Sequence, residues 1–343
     1  MKPSRYEEAG VSIDAQDQAI EQIRGHVGAT NTPRVLSDLG SFGGLFDIRF
    51  PEMDQPVMVA SADGVGTKLK IAFDAEVHDT VGQCLVNHCI DDILVQGARP
   101  LFFMDYVATG KLKPHVVADV VKGMSIACKA SDCAILGGEM AEMPGFYKAG
   151  EYDVAGFIVG VVDRKKLLGE DRVRAGQKLI GLAATGLHTN GYSLARKIIF
   201  EEQGLKLADE LPGTGRSVQD NLLAIHRSYY KPLADLLDKD HIQAMAHITG
   251  GGFLDNVPRI LPKDLSAHIA VDSYSVPPLF QYLVDKGGVD RDEAYRVFNM
   301  GIGMILVVEA ERAASVTEHC AAQNLDPVAL GEIKAGDGTV VLT

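Results

Sequence analysis

From about residue 57 onward the chain alternates short apolar runs with segments of helical periodicity, and glycine marks many of the junctions. That alternation predicts an α/β fold of strand–helix units, with ligands gathered beyond the carboxyl ends of strands. The runs 57–60, 101–107, 133–136 and 154–162 read as strands. Residues 79–97 read as a helix with Val81, Leu85 and Ile93 near helical spacing. Another helix opens at Pro114, with the stripe Val117, Val120, Val121, Met124 and Cys128. Ahead of them, 14–28 reads as a short helix with Ile20, Ile23 and Val27 on its apolar side. Gly40-Ser41-Phe42-Gly43-Gly44 follows, too rich in glycine for a strand interior.

The charged segment 163–177, with Gly169 and Gly176, places a boundary between two units, 1–165 and 166–343. A length of 343 residues suits two domains. A second pattern begins with the apolar run 178–184. It predicts helices at 191–203, 217–238, 252–261, 276–286 and 310–323, and strands at 266–271, 303–309 and 338–342.

Charge narrows the partners. Lysine and arginine number 33 against 46 acidic residues, a net charge of −13. That is a poor surface for a nucleic-acid backbone, whereas a divalent cation can bridge carboxylates to a mononucleotide's phosphates. Tryptophan is absent and no basic–aromatic strip suits single-stranded nucleic acid. Five cysteines without a CxxC pair argue for reduced thiols, not a disulfide framework or a zinc knuckle. The polar start and the lack of an apolar run of roughly 18 residues predict a cytoplasmic protein without signal peptide or membrane span.

Several segments carry potential chemistry. Ser61-Ala62-Asp63-Gly64-Val65-Gly66-Thr67-Lys68 follows directly on a predicted strand. Gly64 and Gly66 let the backbone approach an anion, Asp63 can hold a metal and Lys68 can neutralise phosphate. The segment is neither a Walker A loop nor GxGxxG, and alone it equally fits a capped turn. In Asn87-His88-Cys89-Ile90-Asp91-Asp92 the i,i+4 pairs Asn87/Asp91 and His88/Asp92 form one polar strip. Carboxylates in an otherwise apolar helix are solvated, paired or metal-bound. Asp105 is similarly out of place in its apolar strand. Leu136-Gly137-Gly138-Glu139 sets Glu139 at a strand end, so Asp63, Asp92 and Glu139 form a constellation of the kind magnesium shares with phosphates. Thr185-Gly186-Leu187-His188-Thr189-Asn190-Gly191 joins a buried strand to a helix, where amides attract phosphate and His188 can handle a proton. A loop histidine serves equally as a hydrogen-bonded structural residue. His247-Ile248-Thr249-Gly250-Gly251-Gly252 opens a helix with bare amides, or is simply a flexible connection.

Taken in order, these segments resemble the phosphoribosylformylglycinamidine cyclo-ligase family, also called aminoimidazole ribonucleotide synthetases. The resemblance rests on YEEAGVSID at 6–14, DGVGTK at 63–68, VQGARPLFFMDYVATGKL at 95–112 and GGEMAEMPGFY at 137–147. It continues with YDVAGFIVGVVD at 152–163, GLHTNGYSLAR at 186–196, HITGGGFLDNVPR at 247–259 and FNMGIGM at 298–304. It implies ATP-dependent ring closure. ATP phosphorylates the amide oxygen of formylglycinamidine ribonucleotide to an iminophosphate, and the amidine-side nitrogen closes the imidazole. Aminoimidazole ribonucleotide, ADP and phosphate leave, a step of de novo purine synthesis. Phosphate leaves far more readily than amide oxygen, so positioning and charge neutralisation are the protein's work.

By the same resemblance, Asp63, Asp92 and Glu139 surround Mg2+ and the ATP phosphates and, with His188, are catalytic. Gly43, Gly44, Gly64, Gly66, Thr67, Lys68 and Gly138 join them in nucleotide binding, the loop 40–44 covering the nucleotide. His188, Thr189, Asn190, Gly191, Thr249, Gly250, Gly251 and Gly252 hold the substrate and its 5′-phosphate. A monovalent cation is left open. The implied architecture is a two-domain α/β (α+β) fold whose N-terminal strands form a barrel across a homodimer. Departures from the family pattern are Arg24 for a lysine, Asp91 for an asparagine, Met140 for a threonine and Thr189 for a serine. Asp91 would add negative charge beside the metal. The competing readings are an ATP-dependent phosphotransferase of the same superfamily and a catalytically silent nucleotide-binding protein. Selenophosphate synthesis would need an early reactive cysteine, and the first here is Cys84.

Overall fold

A computed structural model describes residues 4–343; Met1, Lys2 and Pro3 of the polar start lie outside the described residues. The first sheet contains β1 (Pro56–Gly64), β2 (Arg99–Thr109), β3 (Ala134–Glu142) and β4 (Tyr152–Asp163), in the order β1-β4-β2-β3. β2 and β3 run parallel, because the helix Pro114–Ala130 returns the chain between them; the other neighbours are antiparallel. One face of this sheet packs on the helices Asp79–Leu94 and Pro114–Ala130, whose apolar residues form the core. The other face leaves Met58, Met104, Tyr106 and Phe157 exposed.

The second sheet takes β5 (Lys178–Ala183), β8 (Ala244–His247), β9 (Leu265–Ile269), β10 (Ile302–Val308), β11 (Val328–Ala335) and β12 (Val340–Leu342). Its order is β12-β9-β11-β5-β10-β8. A small hairpin, β6 (Glu210–Leu211) with β7 (Arg216–Ser217), stands apart. β12 alone runs parallel to its neighbour in this sheet. β10, with seven buried residues, is the continuous apolar run expected of a strand covered on both sides.

Both sheets are thus mixed, and three sequence expectations shift accordingly. β1 and β3 run on to include Asp63 and Glu139, which sit inside strands instead of on loops beyond them. The helix expected over 217–238 is two helices, Val218–Leu222 and Tyr230–Asp238. The chain between them turns His226 inward, where its carbonyl accepts from Asn87 Nδ2 at 2.7 Å. The helix expected over 191–203 is one turn of α-helix, Tyr192–Arg196, continued by a wider turn over Lys197–Glu202. Further helices include Ile13–Gly28, Lys68–Ala75, Pro278–Gly287, Arg291–Val297 and Ala313–Ala322. Among the described residues no helix is long and apolar enough to cross a membrane.

Candidate active site

The helix Asp79–Leu94 is the seam between the two halves. Its polar strip, instead of facing solvent, bonds across to the second half at four places. Asn87 reaches the His226 carbonyl, and His88 Nδ1 lies 2.5 Å from Thr189 Oγ1. Asp91 Oδ1 accepts the Tyr229 amide at 3.0 Å, and Asp92 Oδ1 meets His247 Nδ1 at 2.9 Å. A helix can present such a strip because residues three and four apart share a face.

Around this seam four buried histidines, His88, His188, His226 and His247, meet Asp63, Asp91 and Asp92. His88 Nε2 lies 2.7 Å from Asp63 Oδ2 and 3.6 Å from Asp92 Oδ2. Burial pushes the His88 imidazole down, but the Asp63 hydrogen bond and both carboxylates overcome it, so the ring is held above its ordinary value. Burial likewise works against ionised Asp63 and Asp92. The hydrogen bond from His88 to Asp63, and that from His247 to Asp92 backed by the His88 charge, hold both carboxyls below theirs. His88 thus lies between two carboxylates, with Asp63 still 43% exposed.

Asp91 behaves differently. It is fully buried, and burial pushes its carboxyl well above the ordinary range. Burial thus works against the extra negative charge expected from this residue, whose Oδ2 lies 3.4 Å from His226 Nε2.

Two further expectations change on inspection. His188 does not face an open cleft. Its ring is buried and stacked at 3.9 Å on His226, and Nε2 accepts the Thr185 amide at 3.2 Å. Burial and the neighbouring His247 hold it well below its ordinary value, so it is a neutral imidazole behind the loop. Lys68 does not face phosphate either. It is fully buried, and its Nζ donates to the carbonyls of Ala224 (2.6 Å) and His188 (3.0 Å) and to Cys84 Sγ (3.2 Å). An ammonium buried among carbonyls is a tie between the halves.

The ligand atoms of His188, His226 and His247 lie within 4.8 Å of one another. A shared ion there is excluded by the ring planes. An imidazole lone pair lies in its ring, and the His188 and His226 rings are stacked at only 22°. His88, Asp92 and His247 form a second such group. Glu139 belongs to neither; it lines an adjacent cleft of about 210 Å³. That cleft is walled by Ile20, Val27, Val117, Val121 and Ile135, roofed by the loop 40–44, and floored by Asp105, Gly137 and Gly138. Gly43 and Gly44 line it as the resemblance implies. Gly138 has a steric reason: a Cβ there would stand 1.8 Å from Asp105 Oδ1. Burial pushes the Asp105 carboxyl up to about 7. Met140 also lines the cleft, whereas Arg24 pairs at the surface with Glu21 at 3.5 Å.

The two glycine loops of the second half come together. Asn190 Oδ1 lies 3.2 Å from where a Gly250 Cβ would stand. Asn256, which sequence reasoning passed over, fastens the triple glycine, its Nδ2 bonding the carbonyls of Thr249, Gly250 and Gly252. Gly252 has φ +56°, and a Cβ there would meet the Tyr295 carbonyl at 2.0 Å. Thr67 Oγ1 touches Ser193 Oγ at 3.0 Å, carrying the first half's 63–68 segment to the same edge.

Comparisons with known proteins place the chain in a family. AIR synthase related protein, N-terminal domain, matches residues 47–162, and AIR synthase related protein, C-terminal domain, matches 174–343. The phosphoribosylformylglycinamidine cyclo-ligase of Geobacter sulfurreducens is 51% identical over 328 residues, covering 96% of this chain and 94% of its own. The chain belongs to the phosphoribosylformylglycinamidine cyclo-ligase family. The cyclo-ligase of Alkaliphilus metalliredigens is 45% identical over 337 residues, 98% of this chain and 97% of its own. Among solved structures, thiamine-monophosphate kinase from Stenotrophomonas maltophilia superposes with TM-score 0.69 at 18% identity, covering 95% of each chain. The hydrogenase maturation protein HypE in complex with ATP superposes with TM-score 0.67 at 16% identity, covering 98% of this chain and 93% of that one. These two share this chain's fold.

Proposed function

We propose that the protein closes the imidazole ring of aminoimidazole ribonucleotide from formylglycinamidine ribonucleotide, consuming ATP and releasing ADP and phosphate. The observation that carries this is the identity to cyclo-ligases over nearly the whole chain, with every glycine loop of the motif set intact. The apolar cleft under the loop 40–44 is the nucleotide's place, with Gly43, Gly44, Gly138 and Glu139 on its walls. Asp63, Gly64, Gly66 and Thr67 stand between it and the second half, where phosphates would pass.

The residues fit a divalent cation. Asp63 and Asp92 both approach His88 Nε2, and the partial exposure of Asp63 leaves room for water or phosphate beside it. When bound, the ion supplies charge neutralisation for the transferring phosphoryl group. The substrate's 5′-phosphate is assigned to the amides of 249–252, with Thr189, Asn190 and Gly191 opposite. His188 acts by position: its carbonyl anchors on Lys68 and its ring on Thr185, holding that loop against the seam. Its buried ring, stacked on His226, favours this positioning role over proton handling.

Domains 1–165 and 166–343, a cytoplasmic location and a homodimer are part of the same proposal. The exposed Met58, Met104, Tyr106 and Phe157 on the open sheet face support the dimer, since such apolar patches mark contact surfaces. The test is a coupled assay with ATP, a divalent cation and formylglycinamidine ribonucleotide, following imidazole and phosphate together. One-to-one appearance is expected. ATP turnover without imidazole would replace this reading by a phosphotransferase of the same fold, and no turnover by folded protein would favour a silent nucleotide binder.

A further inference from the structure

We propose that Phe42 covers the nucleotide's base: its ring folds from solvent onto the base in the cleft and stacks there. This rests on the reading of the cleft beneath the loop 40–44 as the nucleotide's place. Phe42 stands at the mouth of that cleft, yet it is the most exposed large apolar side chain among the described residues. A single exposed apolar residue is ordinary on a protein surface. This one is placed where a flat ligand entering the cleft would bring it a partner.

The segment is built as a flap with a fixed base and a loosely held tip. At the base the Leu36 amide donates to the Leu45 carbonyl at 2.9 Å, and the Leu45 amide to Ser37 Oγ at 2.8 Å. At the tip the only backbone hydrogen bond is from the Ser41 amide to the Asp38 carbonyl, at 3.3 Å. Gly40, with φ +98°, and Gly43 flank the ring. Beyond their chain neighbours, a Cβ at either would meet nothing within 4 Å, so backbone rotation there is unobstructed. Gly44 is pressed on Leu136 instead, a Cβ there standing 2.3 Å from its Cγ, and this keeps the foot of the flap at the cleft edge.

The walls are fixed, so closure falls to the flap. The helix Ile13–Gly28, one wall, is tied to β3 at both ends. Glu142 accepts the Ser12 amide at 2.7 Å, and Thr30 Oγ1 accepts the Ile135 amide at 2.9 Å. Ile20 and Val27 on that helix, and Val117 and Val121 opposite, are aliphatic and give a base van der Waals contact but no aromatic face. Phe42 supplies that face. Its ring gains the contact only when a base is present, so the nucleotide itself favours the closed flap. Every base has a face to stack, so Phe42 adds affinity for a nucleoside triphosphate without choosing among bases.

The protein has no tryptophan, so Phe42→Trp gives the full-length chain a single indole at the tip of the flap. Its fluorescence is followed while ADP, or inorganic tripolyphosphate, is added with a divalent cation. We expect solvent-exposed emission in the free protein, a blue shift with quenching on adding ADP, and no change with tripolyphosphate. In steady-state kinetics Phe42→Ala should raise the KM for ATP about tenfold, Phe42→Tyr less than about twofold, and neither should move the KM for the ribonucleotide by more than about twofold. Emission already blue in the free protein, an equal response to tripolyphosphate, or an unchanged KM for ATP in Phe42→Ala overturns the inference. Photolabelling of the native protein with 8-azido-ATP reads the cleft independently. Label on peptides from 13–28 or 114–130 beside an unresponsive indole overturns the stacking and keeps the cleft. Label elsewhere, or none, defeats the reading of the cleft and the inference with it.

Discussion

Replacing Asp105 by asparagine should stabilise the protein, and more so as pH rises. Burial holds this carboxyl at about 7 against an ordinary 3.8. The gap of about three pH units is worth ~4 kcal/mol at most. Asp105 keeps some exposure along the cleft, where water screens the charge, so ~2 kcal/mol is the working figure. In the unfolded chain the carboxyl ionises from about pH 4, while in the folded protein it ionises only near 7. The folded state therefore carries a cost that grows from about pH 4 to about pH 7 and stays level above it. Asparagine occupies the same volume and carries no such cost. Thermal unfolding of native protein and D105N should show a small difference at pH 4.5, widening to a few degrees by pH 8. A difference independent of pH, or D105N less stable at pH 8, would refute the burial argument.

Lys68→Met should cost about 3 kcal/mol, since it strands the carbonyls of His188 and Ala224; urea unfolding measures it, with a raised KM for the ribonucleotide as the accompanying sign. Gly252→Ala puts a methyl against the Tyr295 carbonyl at a positive φ. It should reduce kcat/KM for the ribonucleotide at least tenfold, more than it affects the KM for ATP, and steady-state kinetics separates the two. Phe157→Glu on the open sheet face should yield monomers by analytical ultracentrifugation, and a dimer of unchanged affinity would send the interface elsewhere.

The strand–helix alternation and the place of each motif were legible because they are local. Glycines, apolar runs and helix stripes sit next to one another in the chain, and β10 and the helix Pro114–Ala130 form where their patterns say. β11 was not legible. Its Gly331, Glu332 and Lys334 break the apolar run, and it is a strand because β5 and β9 pair with it on both sides. The polar strip of Asn87, His88, Asp91 and Asp92 announced that something would meet it, but not what. His226 lies 134 residues or more away in a stretch that looks helical, and nothing near it signals an inward turn. Lys68 shows the opposite failure. Its place beside a glycine loop suggested phosphate, and only the tertiary structure, by closing carbonyls over it, assigns it a different partner.

That buried lysine has a consequence for how the protein responds to salt. Surface pairs such as Lys165 with Asp54, and Arg49 with Asp47, loosen as ions accumulate around them. The Lys68 ammonium bonds to uncharged carbonyls in a place ions do not enter. That contact between the halves is therefore far less sensitive to ionic strength than the surface pairs.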